Sequence, residues 1–216
     1  MLKPFTTVAV SFLGAVATSA ATLPTPSYAT VLKLQEIEIL NSSKTQETAT
    51  KEVAPEKPKE MRFICKGCNI NESRALEILQ DRGINDKNAL ATILGNIKQE
   101  SGFVPNICEG GARTSYRGCG RGYGLIQWTS SDRYYGLGRH AIATRGNPST
   151  LETQMNYLFT ETQWRRIESY MKTPGKSIND YMRLAYRWIG WGHHGARTHY
   201  AYRYANRLVL SEVENS

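Results

Sequence analysis

The chain has 216 residues, a formal net charge of +8, 40% hydrophobic and 10% aromatic residues, four Cys and 18 Gly. That size allows one domain with appendages or two small ones, and the apolar fraction excludes a wholly disordered chain. No internal stretch reaches the roughly 18 uninterrupted apolar residues of a membrane span, and no collagen-like glycine period occurs, so polytopic membrane and fibrous classes are excluded.

Met1-Leu2-Lys3 is a short n-region with one positive charge, and Val8 to Ala17 is an apolar run broken only by Ser11. Small residues follow, with Ala20/Ala21 or Ser27-Tyr28-Ala29 as cleavage points, so residues 1–29 read as a secretory signal peptide. A retained N-terminal anchor is the alternative, and either one exports the remainder. Residues 30–60 are expected to be a flexible polar linker. From Asn41 to Glu60 the chain is Ser, Thr, Lys, Glu and Pro with almost nothing apolar to offset its conformational entropy. One domain of about 150 residues remains, over 61–210, long enough for a proper core, with 211–216 as a tail.

Cys65 and Cys68 are followed much later by Cys108 and Cys119. A four-thiolate zinc site would need a tighter second spacing, and an exported chain with an even cysteine count favours disulfides. Three pairings are open, of which Cys108–Cys119 would close a short glycine-rich loop.

Asn71-Glu72-Ser73 opens a first helix that presents Ala75, Leu76 and Leu79 on one side and stops at Gly83. Asp86 caps a second, in which Ala89, Leu90, Ile93, Leu94 and Ile97 recur at three- and four-residue steps. Gly102 supplies its left-handed end. Glu100 lies in the last turn, seven positions after Ile93 and three after Ile97, and so faces inward. Both the helix dipole and burial raise the pKa of a carboxylate placed there, which suits a general acid at neutral pH. Gly122-Tyr-Gly-Leu-Ile-Gln-Trp-Thr129 reads as an extended apolar run, and Gln127 within it needs a polar partner. Later helices are expected from a Ser149-x-x-Glu152 capping box, from Ser177, and from Arg197 to Leu210. His193, His194 and His199 have no acidic or Cys neighbour, so neither a metal nor any other cofactor is expected.

Ala91-Thr-Ile-Leu-Gly-Asn-Ile-Lys-Gln-Glu-Ser-Gly-Phe103, Gly122-Tyr-Gly-Leu-Ile-Gln-Trp-Thr129, Arg133 and Leu137 together resemble the signature of phage tail lysozymes. These belong to the lysozyme-like superfamily, with goose-type lysozymes and lytic transglycosylases. The resemblance covers about 85–210 and includes Arg197, Tyr200, Ala201 and Ala205 of the closing helix. It implies a mainly α, α+β fold: a helical bundle with a small β-hairpin or loop region lining a substrate cleft. It also implies peptidoglycan as substrate, the MurNAc–GlcNAc β-1,4 bond as target, Glu100 as the catalytic glutamate and Gln127 beside the cleft. One departure is visible: Trp188-Ile189-Gly190-Trp191 stands where relatives often carry a late glutamate-proline pair.

Glycosidic hydrolysis normally uses two carboxyls, and Glu109 and Asp132 are the candidates for the second. Tyr123, Trp128, Tyr134 and Tyr135 are expected to line the cleft, since pyranose rings pack on aromatic ones; core filling is the alternative for each of them. All of the +8 lies in 113–216, where 13 of the 15 Lys+Arg are Arg against seven Asp+Glu. A polyanion is therefore attracted there. No helix-turn-helix, zinc finger or RRM signature points to nucleic acid. A wall glycosidase, monomeric and exported to the periplasm, cell wall or virion, is expected. A non-catalytic wall-binding or virion structural module on the same fold is the alternative.

Overall fold

The computed structural model describes residues 59–213, so the expected signal peptide and most of the linker lie outside the described residues. β1 (Glu60–Cys65) runs antiparallel to β2 (Leu208–Val213), from Glu60 opposite Val213 to Cys65 opposite Leu208. This two-stranded ribbon ties the first described residues to the last. The helix expected over Arg197–Leu210 accordingly ends at Arg207, because Leu208-Val209-Leu210 finds its strand partner at the far end of the domain sequence, which local periodicity does not reveal. The disulfide Cys65–Cys68 closes the turn after β1, and Cys108–Cys119 closes the glycine-rich loop.

α1 (Ile70–Asp81) begins one residue before the expected Asn71, with a full capping box. Asn69 Oδ1 accepts from the Glu72 N–H at 2.9 Å and Glu72 Oε2 accepts from the Asn69 N–H at 2.9 Å. α2 (Lys87–Ser101) follows the sequence expectation closely. Asp86 Oδ1 accepts from the Asn88 and Ala89 N–H groups, and Gly102 ends the helix at φ 60°. Leu90, Ile93, Leu94 and Ile97 are completely buried, so α2 is the central helix of the domain.

Between α2 and the next long helix the chain forms a Cys-bridged loop with a single 3-10 turn at Tyr116–Gly118. α3 (Ser131–Thr144) then packs on α4 (Leu151–Thr160). The expected Ser149 box does not form. Thr150 caps α4 instead, because the Ser149 hydroxyl accepts the Tyr123 hydroxyl at 2.6 Å and the Tyr116 N–H at 3.3 Å. Short α5 (Thr162–Arg165) and α6 (Glu168–Lys172) lead to α7 (Ile178–Ile189), which begins at Ser177 as expected and is closed there by a capping box with Asp180. α8 (Arg197–Arg207) lies across α2. Eight α-helices and one small antiparallel sheet thus make up the described residues, in agreement with the mainly α expectation.

The crossing of α2 and α8 depends on Gly95. A Cβ there would lie 2.6 Å from the Ala201 nitrogen and 2.9 Å from the Arg197 oxygen, both backbone atoms that cannot swing aside. Gly95→Ala would gain up to about 1 kcal/mol of helix propensity but force apart two packed backbones, at about 1–3 kcal/mol. The expected net loss, up to about 2 kcal/mol, lowers the thermal midpoint by up to roughly 8 °C. A midpoint at or above that of the parent chain would show that the two helices separate freely.

Candidate active site

The last turn of α2 carries the residues that build the site. Ser101, beside Glu100, is buried, and its Oγ donates to Leu125 O at 2.8 Å, pinning the 122–129 segment to the end of the helix. Gly102 turns the chain in the left-handed region, and Phe103 packs edge-on against Tyr204 of α8, 6.1 Å between ring centroids. In Glu-Ser-Gly-Phe, therefore, the glutamate brings a carboxyl to the cleft, the serine ties the loop, the glycine makes the turn and the phenylalanine anchors it.

Segment 122–129 is a tight turn, which corrects the expected extended run. The Tyr123 N–H donates to Trp128 O at 3.2 Å and the Trp128 N–H donates back to Tyr123 O at 3.0 Å, enclosing residues 124–127. The glycines bring this about, since Gly124 sits at φ 73° with the Gln154 amide where a Cβ would be. Gln127 takes φ 53°, is half-buried, and donates from Nε2 to Gly124 O at 3.0 Å.

A cleft of about 540 Å³ opens over the end of α2. Glu100 and Arg197 form one part of its wall, Gln127, Thr129 and Arg133 another, and Trp191, His193 and Glu109 complete it. The Glu100 carboxylate accepts a hydrogen bond from Arg197 Nη2. Burial pushes the Glu100 carboxyl above its ordinary value, and the Arg197 and Arg133 charges hold back only part of that rise. Arg197 is itself buried: Nη1 donates to His193 O at 2.8 Å and His194 O at 2.7 Å, and the guanidinium stands 4.8 Å from the centre of the Trp191 ring. Arg133 is gripped bidentately by Glu161, Nε to Oε1 at 2.7 Å and Nη2 to Oε2 at 2.9 Å, and Glu161 also accepts from Trp128 Nε1 at 3.0 Å.

The structure thus brings together Glu100, Gln127 and Glu109. Glu109 is exposed at the cleft edge and accepts the Gly122 N–H at 3.3 Å. Asp132 is exposed in the first turn of α3 and is not part of the cleft wall. Tyr123 and Trp128, expected to line the cleft, are completely buried. The turn points both rings inward, where the Tyr123 hydroxyl reaches Ser149 and Trp128 packs on Tyr157, so they are core residues that shape the turn. Tyr134 and the exposed Tyr135 line a separate hollow of about 190 Å³ that shares Thr129 with the cleft. Arg197, Trp191 and His193 are the residues whose place in the site the sequence did not disclose. The available signal was an arginine at the start of a helix, directly after a Gly-Trp-Gly-His-His-Gly-Ala loop.

No curated protein and no solved structure matches the chain. A family model described as phage tail lysozyme matches residues 71–207, which begins at α1, takes in the whole cleft and ends with α8. That span exceeds half of the sequence, and the chain belongs to the phage tail lysozyme family.

Proposed function

We propose that the chain is a peptidoglycan glycosidase that cleaves the MurNAc–GlcNAc β-1,4 bond with Glu100 as general acid. Membership of the family implies peptidoglycan-degrading, lysozyme-like activity. The observation that carries the finer assignment is the position of Glu100: half-buried, in an open cleft, with its pKa raised by burial. A glutamate in that setting retains its proton nearer neutrality and can deliver it to the glycosidic oxygen as the C1–O bond breaks. The carboxylate left behind falls on Arg197, which already donates to it, so the developing negative charge meets a fixed positive one. Glu100 can then take the proton from the attacking hydroxyl, which is water in hydrolysis or the sugar's own 6-hydroxyl in transglycosylation.

Glu109, in the lining of the same cleft, would orient a water, and Gln127 would hold an acyl or hydroxyl group. Trp191 provides the aromatic surface on which a pyranose would pack. Export of the domain, from the signal-like first 29 residues, would bring it to its substrate.

Two measurements test this reading. Digestion of purified wall, with mass spectrometry of the soluble products, should yield disaccharide muropeptides with either reducing or anhydro ends; products cut only in the peptide would overturn it. The Arg excess of 113–216 should make attachment to intact wall fall as salt rises, since the Debye length shrinks from about 10 Å at 0.1 M to about 3 Å at 1 M. Turnover of a short neutral oligosaccharide should change much less. Equal sensitivity for both substrates would show that the arginines serve another purpose.

A further inference from the structure

A second groove, of about 520 Å³, is formed by the turn at Ser115–Arg117, the C-terminal half of α3 and the Gly146–Ser149 loop. Tyr116, Ala141, Ile142 and Pro148 give it an apolar lining, which Arg117 and Arg145 share. No acidic side chain lines it, and neither arginine joins an ion pair among the described residues. Ile142 is 79% exposed on the helix face beside them.

The groove is preformed. The Tyr116 ring stacks on Tyr134 at 4.5 Å, and its hydroxyl donates to Tyr134 O at 2.7 Å. Gly138 makes room for it, since a Cβ there would lie 2.7 Å from that hydroxyl. Arg145 ends α3 in the left-handed conformation, φ 54°, where glycine or asparagine would sit without strain.

We propose that this groove binds the short acidic peptide carried by the glycan, the peptide stem of peptidoglycan, while the sugar backbone occupies the cleft at Glu100. The inference rests on the glycosidase reading of that cleft. Two free guanidinium groups without a competing acid match carboxylates. The apolar lining matches small apolar side chains such as those of alanine, which a polyol phosphate chain lacks. The two sites share α3: Arg133 in the cleft wall and Ile142 at the groove lie nine residues apart, roughly 14 Å along the helix axis and about half a turn around it. An extended peptide of four or five residues spans roughly 13–18 Å.

The test uses the full chain and an Arg117→Ala/Arg145→Ala double variant, with folding checked by thermal midpoint. A synthetic N-acetyl-Ala–γ-Glu–Lys–Ala peptide, its N-terminus acylated as it is on the glycan, should on NMR titration bind the parent chain and bind the double variant at least tenfold more weakly. In parallel, kcat/KM is compared on intact peptidoglycan and on glycan strands stripped of their stems by an amidase. The parent chain should lose about tenfold on stripped strands, whereas the double variant should cleave both alike. Equal peptide affinity for both proteins, an unchanged preference for stemmed wall in the variant, or binding of polyglycerol phosphate in place of the peptide would overturn the proposal. If neither substrate is cleaved by the parent chain, the glycosidase reading fails, while the peptide titration still reports on the groove.

Discussion

Glu100→Gln should lower wall lysis by about 10²–10⁴-fold, the usual contribution of a positioned general acid. The amide fills the same space and still accepts the Arg197 hydrogen bond, but it has no proton to give to the leaving oxygen. The variant should remain folded, and its stability at neutral pH should equal or exceed that of the parent chain. Burial raises the Glu100 carboxyl in the folded chain above its unfolded value. Its stabilising contribution is therefore complete below the unfolded value and is lost as pH rises through the folded one. At neutral pH the ionised group is a net cost that the neutral amide avoids. Thermal midpoints of the two proteins should converge in acid and separate toward neutrality, with the variant higher. Lysis at the parent rate by a folded variant would remove Glu100 from the mechanism.

Arg197 and Arg133 restrain the rise of the Glu100 carboxyl, so with Glu100 as general acid the charge at Arg197 should help set where activity falls with pH. The alkaline limb of the kcat/KM profile reports loss of the acid form of the free enzyme. Arg197→Met should carry that limb to higher pH, whereas a residue that only supported the fold would leave the limb in place.

The sequence was most legible where local rules act alone. Asp86 before an apolar three- and four-residue repeat, and Gly102 after it, defined α2 to the residue, and with it the inward face that carries Glu100. Ser177 worked equally well for α7. It was least legible where the partner is distant. Leu208-Val209-Leu210 continues a helical pattern and becomes a strand only because β1 is there to receive it. Tyr123 and Trp128 looked like cleft aromatics because pyranose rings pack on such side chains, and glycines flank them in the sequence. Those glycines instead tighten a turn whose rings face the core, and Gln127 between them is the residue left at the surface of the cleft. Arg197 lies 97 positions from Glu100, and only the crossing of α8 over α2 at Gly95 brings the two together.

Glu161→Ala should be among the most destabilising single changes in the domain. Glu161 is 5% exposed and accepts three hydrogen bonds, two from Arg133 and one from Trp128 Nε1. Its removal leaves a largely buried guanidinium without a counter-charge and an indole N–H without an acceptor. Breaking one side of such a pair costs about 3–5 kcal/mol, which lowers the midpoint of a domain this size by roughly 6–20 °C. The energy belongs chiefly to the uncompensated partner, so removing both charges should recover much of it. An Arg133→Met/Glu161→Leu double variant should therefore melt higher than Glu161→Ala. Its lytic activity should nevertheless stay low, because Arg133 lines the cleft and acts on the Glu100 carboxyl. A double variant that regains both stability and activity would show that Arg133 serves the fold alone. One no more stable than the single variant would show that the Glu161 oxygens matter mainly to Trp128, and so to the turn that holds Gln127 in place.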